Sequence, residues 1–219
     1  NLAPQAEVVR SARAFSDAPV VVSPVTLRPR FNAVAQSDVT AVAGELPYAV
    51  DARQMSLFGA GWTLGSVKHL AAAGAESVTY FETTGWQGVL ETETGSPEPD
   101  LFPSRPGEVF PLYHVLADLA ELRDAELVAV ESSNRLAVEA LALRDDAGLH
   151  LLLANLTPEP REVSLALPDG GEARIRRLND TSVAAAMATP QDFRRSGAPL
   201  TQPTVTLAPF EVLRIDVSP

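Results

Sequence analysis

Two short stretches of this chain hold residues whose types and spacing could do chemistry. The first is Ser23-Pro24-Val25-Thr26-Leu27-Arg28-Pro29-Arg30-Phe31-Asn32. In extended backbone, residues two apart point the same way, so Arg28 and Arg30 could face one ligand. A pair of guanidinium forks suits a carboxylate or phosphate oxygen. Asn32 is counted with them as substrate-binding. The bland alternative is ion pairing of these arginines with nearby acids such as Asp51 or Glu45. The second stretch is Ser77-Val78-Thr79-Tyr80-Phe81-Glu82-Thr83-Thr84-Gly85-Trp86. A carboxylate at the tip of an apolar strand is placed to act as acid, base or nucleophile, which makes Glu82 the candidate catalytic residue. Thr84 adds a hydroxyl, and the Trp86 indole can stack on the apolar face of a sugar ring. The alternative is that Glu82 pairs with Arg28 or Arg30 and only holds the loops together. A glycosidase needs two carboxylates across the bond it cleaves. Here they would be Glu82 and, less directly, Asp51, which otherwise counts as substrate-binding.

The elements that must position these residues read as helices alternating with short apolar strands. Val8, Ala12 and Phe15 fall at i, i+4 and i+7 and predict one face of a first helix. Val20-Val21-Val22 follows as a wholly apolar strand, of the kind buried on both faces of a parallel sheet. A long loop from about Thr26 leads to a second helix carrying Phe58, Trp62, Leu70 and Ala71, with Gly74 as its C′ residue. Residues 77–81 form the next strand. A Gly/Pro-rich stretch then runs to Glu108, and a third helix spans residues 109–123 with Leu112, Leu116 and Leu119 on one face. Short αβ turns and long βα loops are the layout of a parallel α/β fold. In a (β/α)8 barrel, functional residues sit on loops after the C-terminal ends of strands, where both stretches lie.

Near residue 125 the period changes to two. Leu136, Val138 and Ala140 alternate with polar or small neighbours, as do Leu149, Leu151 and Leu153, then Val163, Leu165 and Leu167, and finally Leu213, Ile215 and Val217. Turn signals separate them at residues 145–148, 157–160 and 168–171. This spacing predicts an antiparallel β-sandwich, interrupted at residues 182–195 by a short helix. The fold class expected is therefore α/β plus all-β. Residues 1–124 are the last βα units of a (β/α)8-type barrel, and residues 125–219 are a sandwich domain. Two strands and three helices cannot close a barrel, and a two-stranded parallel sheet is not stable alone. Either the missing strands lie upstream, as the start at Asn1 without Met suggests, or a second copy covers the open edges as a homodimer.

Composition narrows the partners. The 219 residues are 46% hydrophobic and 21% charged, as in an ordinary folded protein. A formal charge of −11, from 28 acidic and 17 basic residues, argues against a nucleic-acid partner. No apolar run approaches the length of about 18 residues that a membrane span needs. The chain has no Cys, and His69, His114 and His150 match no metal-ligand spacing, so a structural role is expected for all three and no metal or cofactor is called. There is no Gly-rich phosphate loop and no G-x-S-x-G nucleophile elbow. Asn155-Leu156-Thr157 and Asn179-Asp180-Thr181 fit the glycosylation sequon. The expected compartment is the cytoplasm, and the expected ligand a small sugar or sugar acid.

Taken together, the stretches at residues 23–32 and 77–86 resemble the D-apionate lactonase family, and the resemblance extends over nearly the whole chain as the C-terminal part of a longer member. It implies a clan-A glycoside-hydrolase-like TIM barrel with a C-terminal β-sandwich, and hydrolysis of a sugar-acid lactone in bacterial catabolism of a branched plant sugar. The Arg pair fits a substrate with a carboxylate-derived group. There is also a departure. Clan-A glycosidases carry a nucleophilic carboxylate at the end of the seventh strand, where this chain has Val25-Thr26-Leu27-Arg28, so retaining glycosidase chemistry is not what the resemblance implies here. The acid expected after the fourth strand would lie outside the chain. A competing reading is a non-catalytic module. After residue 125 the aromatics are Phe193 and Phe210 alone, too few for a sugar-stacking platform, so bracing a barrel is then the expected job of the second half.

Overall fold

The structure, a computed structural model, describes residues 2–30, 44–168 and 171–219. Its first half is built round one buried helix. Helix α1 (Ala3–Arg13) is followed by strand β1 (Val21–Val22), a 3-10 turn (Ala52–Met55), helix α2 (Leu57–Ala72), strand β2 (Ser77–Val78) and helix α3 (Pro111–Glu121). Ser56 caps α2, its hydroxyl accepting from the Gly59 amide at 3.3 Å. At the other end Gly74, with φ of 84°, lets the Ala75 amide reach back to the Leu70 carbonyl, as the expected C′ glycine should. Strands β1 and β2 pair in parallel, Val21 opposite Ser77 and Val22 opposite Val78. The second strand is shorter than the 77–81 expected, because past Thr79 the chain leaves the ladder and Tyr80 turns its hydroxyl onto Ser66 Oγ at 2.8 Å.

Two expectations for this half are corrected. The buried face of α1 is Leu2, Ala6 and Val9, not Val8, Ala12 and Phe15. Helix α1 packs on α2 through that face, leaving Val8 and Phe15 69% and 92% exposed. Both faces satisfy helical spacing, so periodicity could not choose between them. Nor is β1 buried on both faces: Val21 is exposed, since its one described neighbour is β2.

The second half is an antiparallel sandwich. Strands β3 (Glu126–Val128), β4 (Val138–Asp145), β5 (Gly148–Asn155), β6 (Arg161–Ser164), β7 (Ala173–Leu178), β8 (Ala198–Pro199), β9 (Thr204–Leu207) and β10 (Val212–Val217) follow, with helices α4 (Val183–Ala188) and α5 (Pro190–Arg195) between β7 and β8. A sheet of order β3-β4-β5-β10-β7-β8 faces the pair β6-β9. Leu136, expected inside a strand, precedes β4 and is exposed. Strand β7 was not anticipated, because Arg174, Arg176 and Arg177 break its apolar alternation.

The six-stranded sheet is buried on both sides, which accounts for the run Leu151-Leu152-Leu153-Ala154. Ala140, Ala142, Leu151, Leu153, Leu213 and Ile215 meet Val205 and Leu207 inside the sandwich. Leu141, Leu143, Leu152, Ala154 and Val212 point the other way, into a core shared with Leu64 of α2 and with Phe110, Leu112 and Val115 at α3. The two halves thus share one sheet face as a common wall.

The β4–β5 hairpin depends on Gly148. Its φ is 135°, and a Cβ placed there would lie 2.0 Å from the Val217 carbonyl oxygen. Gly148→Ala is therefore expected to cost about 2 kcal/mol through backbone strain and displacement of β10, measured by urea unfolding.

Candidate functional site

The residues singled out by type and spacing gather where the chain leaves β1 and β2. Arg30 Nη1 lies 3.2 Å from Glu82 Oε1. Arg28 Nε stands 3.7 Å from Asp51 Oδ2, and its Nη1 donates to the Tyr48 carbonyl at 3.5 Å. The two guanidiniums flanking Pro29 therefore end on different acids, the ion pairing that the residues 23–32 left open as an alternative. Asn32 lies outside the described residues.

Asp51 is held by a neighbour that sequence reading passed over. Arg53 donates to it from Nε at 2.9 Å and from Nη2 at 2.6 Å, and its backbone amide donates at 3.0 Å. These bonds from Arg53 keep the Asp51 carboxyl below its usual range against the opposing effect of burial, with Arg28 adding a smaller pull. Asp51 is thus an ionised, buried anchor that caps the 3-10 turn.

The loop after β2 is tied back to the segment before α2. The Glu82 amide donates to the Gln87 carbonyl at 2.9 Å. Gln87 Nε2 donates to the Ala49 carbonyl at 3.1 Å, and Gln54 Nε2 to the Gly88 carbonyl at 2.8 Å. Thr84 makes a backbone bridge to Leu90, which also bridges Val109. These bonds fold the Gly/Pro-rich stretch onto itself and open a cleft of about 350 Å³ lined by Glu82, Trp86, Gln87, Glu91, Thr92 and Thr94 among others. That size suits a small ligand. The Trp86 indole is fixed by Nε1 donating to Ser96 Oγ at 3.0 Å and by packing beside Phe102, ring centres 6.3 Å apart.

Glu82 and Trp86 thus share one wall, whereas Arg28, Arg30, Asp51 and Thr84 are not among the cleft's lining residues. Glu91 is the residue sequence reading missed. It is 1% exposed, yet lines the cleft. It sits in a stretch with no period, so neither helix nor strand spacing marks it.

The histidines are occupied by structural contacts. His69 Nε2 and Lys68 Nζ each lie 2.7 Å from the buried Glu139. His150 lies between Asp216 at 2.6 Å and Asp145 at 3.0 Å. His114 Nε2 is 3.0 Å from the Ala186 carbonyl. Among the described residues no group of three His, Asp or Glu is arranged to hold a metal ion, and no helix is long and apolar enough to cross a membrane. Both sequon asparagines are used internally, Asn155 by the Glu159 and Ala208 carbonyls and Asn179 by Glu211 and Thr181.

Compared with known families, residues 1–124 match the D-apionate lactonase TIM barrel domain, and residues 135–215 match the C-terminal immunoglobulin-like domain of the same family. The chain belongs to the D-apionate lactonase family. Among curated proteins none matches. Solved structures with the same fold include a conserved exported protein from Bacteroides fragilis, at 12% identity and TM-score 0.58, covering 98% of this chain and 42% of that one. A GH30 endoxylanase from Clostridium papyrosolvens C71 is similar at 13% identity and TM-score 0.53, covering 75% and 39%. A family 30, subfamily 8 xylanase from Clostridium acetobutylicum gives 10% identity and TM-score 0.53, covering 75% and 40%. This D-apionate lactonase family chain spans about two fifths of the length of those structures. The α/β half is thus of TIM-barrel type and the sandwich of immunoglobulin-like type.

Proposed function

We propose that this chain is the C-terminal portion, the last βα units and the immunoglobulin-like domain, of a carbohydrate-active hydrolase that opens a sugar-acid lactone. The observation that carries this reading is the Arg30–Glu82 pair beside the Trp86 cleft, at the ends of two adjacent parallel strands. In barrel enzymes that end is where the chemistry sits. Family membership supports the lactone as substrate class. Glu82 is solvent-exposed, and in this reading its carboxylate takes a proton from water, which then attacks the lactone carbonyl. Arg30 is placed to stabilise the negative charge that develops on the carbonyl oxygen and remains on the product carboxylate. The acyl C–O bond breaks, and the ring oxygen leaves as a hydroxyl by taking the proton that Glu82 holds, which returns Glu82 to the carboxylate. The ligand in this reading is a small sugar acid or its lactone, and the compartment the cytoplasm.

The uncovered apolar side of α1, at Val8 and Phe15, and the exposed Val21 support a partial barrel whose remaining strands belong to the same polypeptide. A second reading, a module that only braces a barrel, is favoured by the mutual satisfaction of Arg30 and Glu82. Lactone hydrolysis by the polypeptide in its natural length, followed by pH-stat titration, separates the two. Glu82→Gln is expected to lower kcat about a hundredfold, as removal of a general base does. An unchanged kcat would favour the bracing module.

A further inference from the structure

Glu91 combines three properties on one side chain. It is buried, it lines the cleft beside Trp86, and it has no cation among its described partners. Its Oε1 accepts from the Thr92 amide at 2.7 Å, and its Oε2 accepts from the Ser104 hydroxyl. A carboxylate offers roughly four acceptor sites, so about two remain. An ionised carboxylate out of water is costly unless its acceptors are used. Hydroxyls entering from the cleft, first of water and then of a ligand that displaces it, can use them without adding charge.

We infer that Glu91 is a specificity-determining residue that accepts hydrogen bonds from two neighbouring hydroxyls of a small polyhydroxylated ring seated against Trp86. This rests on the lactonase reading and deepens it. The cleft then offers two carboxylates, Glu82 and Glu91, on an otherwise largely apolar lining. A ligand carbonyl goes to the Glu82 end, where Arg30 stands behind Glu82 at 3.2 Å, and the hydroxyls go to Glu91. The fixed Trp86 ring supplies the apolar face between the two ends. Sites built to receive hydroxyls reject analogues lacking them, because the buried polar group is left unpaired.

The test uses two five-membered lactones, erythronolactone with two ring hydroxyls and γ-butyrolactone with none. Hydrolysis is followed by pH-stat, and binding by Trp fluorescence with Trp86→Phe as the control. The unsubstituted protein is expected to bind erythronolactone at least about thirtyfold more tightly. Glu91→Gln, similar in size and checked for an unchanged melting temperature, is expected to erase that preference while altering γ-butyrolactone binding no more than about twofold. Equal binding of both lactones by the unsubstituted protein, or no binding of either, overturns the assignment whether or not the variant folds. A preference that survives in Glu91→Gln overturns it too. Selective binding without turnover sustains the Glu91 assignment and removes the lactonase reading, whereas turnover without selectivity does the reverse.

Discussion

Asp118→Ala is expected to destabilise the protein by about 3–5 kcal/mol, the usual cost of removing one partner from a buried ionic cluster. Arg176 of β7 and Arg214 of β10 stand directly opposite each other in the ladder, on the sheet face turned toward α3. Like charges so placed repel. Arg194 of α5 joins them from a third direction. The Asp118 carboxylate meets all three through Oδ1, with Arg214 Nη1 at 2.8 Å, Arg194 Nη1 at 3.0 Å and a short bond from Arg176. Of the three arginines, Glu121 and Asp216 make further contacts to Arg194 and Arg214 but not to Arg176. With Asp118 gone, Arg176 keeps a carbonyl bond to Arg194 and the Phe193 ring, and no acid. Urea unfolding monitored by circular dichroism measures the loss. A change below about 1 kcal/mol would mean that water reaches Arg176 and that the cluster contributes little to joining the halves. Asp118 lies on α3, whereas the three arginines lie beyond residue 170, so the clamp spans both halves.

A second large effect is expected on acidification. His114 is 2% exposed, and burial pushes its pKa down to about 4. The hydrogen bond to the Ala186 carbonyl and the nearness of Asp118 oppose that shift, while Arg194 and Arg176 reinforce it. In the neutral ring Nε2–H donates to Ala186, and Nδ1 is buried without a partner. Protonation would put a second N–H where nothing accepts it. An unfolded histidine titrates near 6.5, so between pH 6.5 and 4 the unfolded chain binds a proton that the folded one does not. Stability is then full above about pH 6.5 and falls as pH drops through that window, by about 3 kcal/mol. The depressed carboxyls, Asp51, Glu121 and Asp145, lose their contribution only at lower pH, because stability from a lowered acid is lost as pH falls below its unfolded value. Unfolding free energies at half-unit pH steps should therefore show a slope from 6.5 to 4.5 that vanishes in His114→Phe. A slope that persists in the variant would assign the titration to another group.

Much of this protein is legible in its sequence. Alternation at Leu149, Leu151 and Leu153 and at Leu213, Ile215 and Val217 marked sandwich strands, and Gly74 marked the end of α2, because local spacing reports local geometry. The stretches at residues 23–32 and 77–86 pointed to the mouth of a barrel through the order of strand and loop, and to the family through their residues. Other features had no local signal. Two faces of α1 satisfied the same period, and contact with α2 selected Leu2, Ala6 and Val9. Strand β7 was hidden by arginines whose partners are distant in the chain, Asp118 for Arg176 and Glu211 for Arg177. Glu91 lacked any period and became part of a cleft only when Gln87 and Gln54 tied its loop to the residues before α2. The sequence by itself determined the two fold types, their order along the chain and the family. Tertiary structure alone decided which apolar face is covered, which charges neutralise one another and which carboxylates share a wall, because those depend on distances between segments that no local pattern encodes.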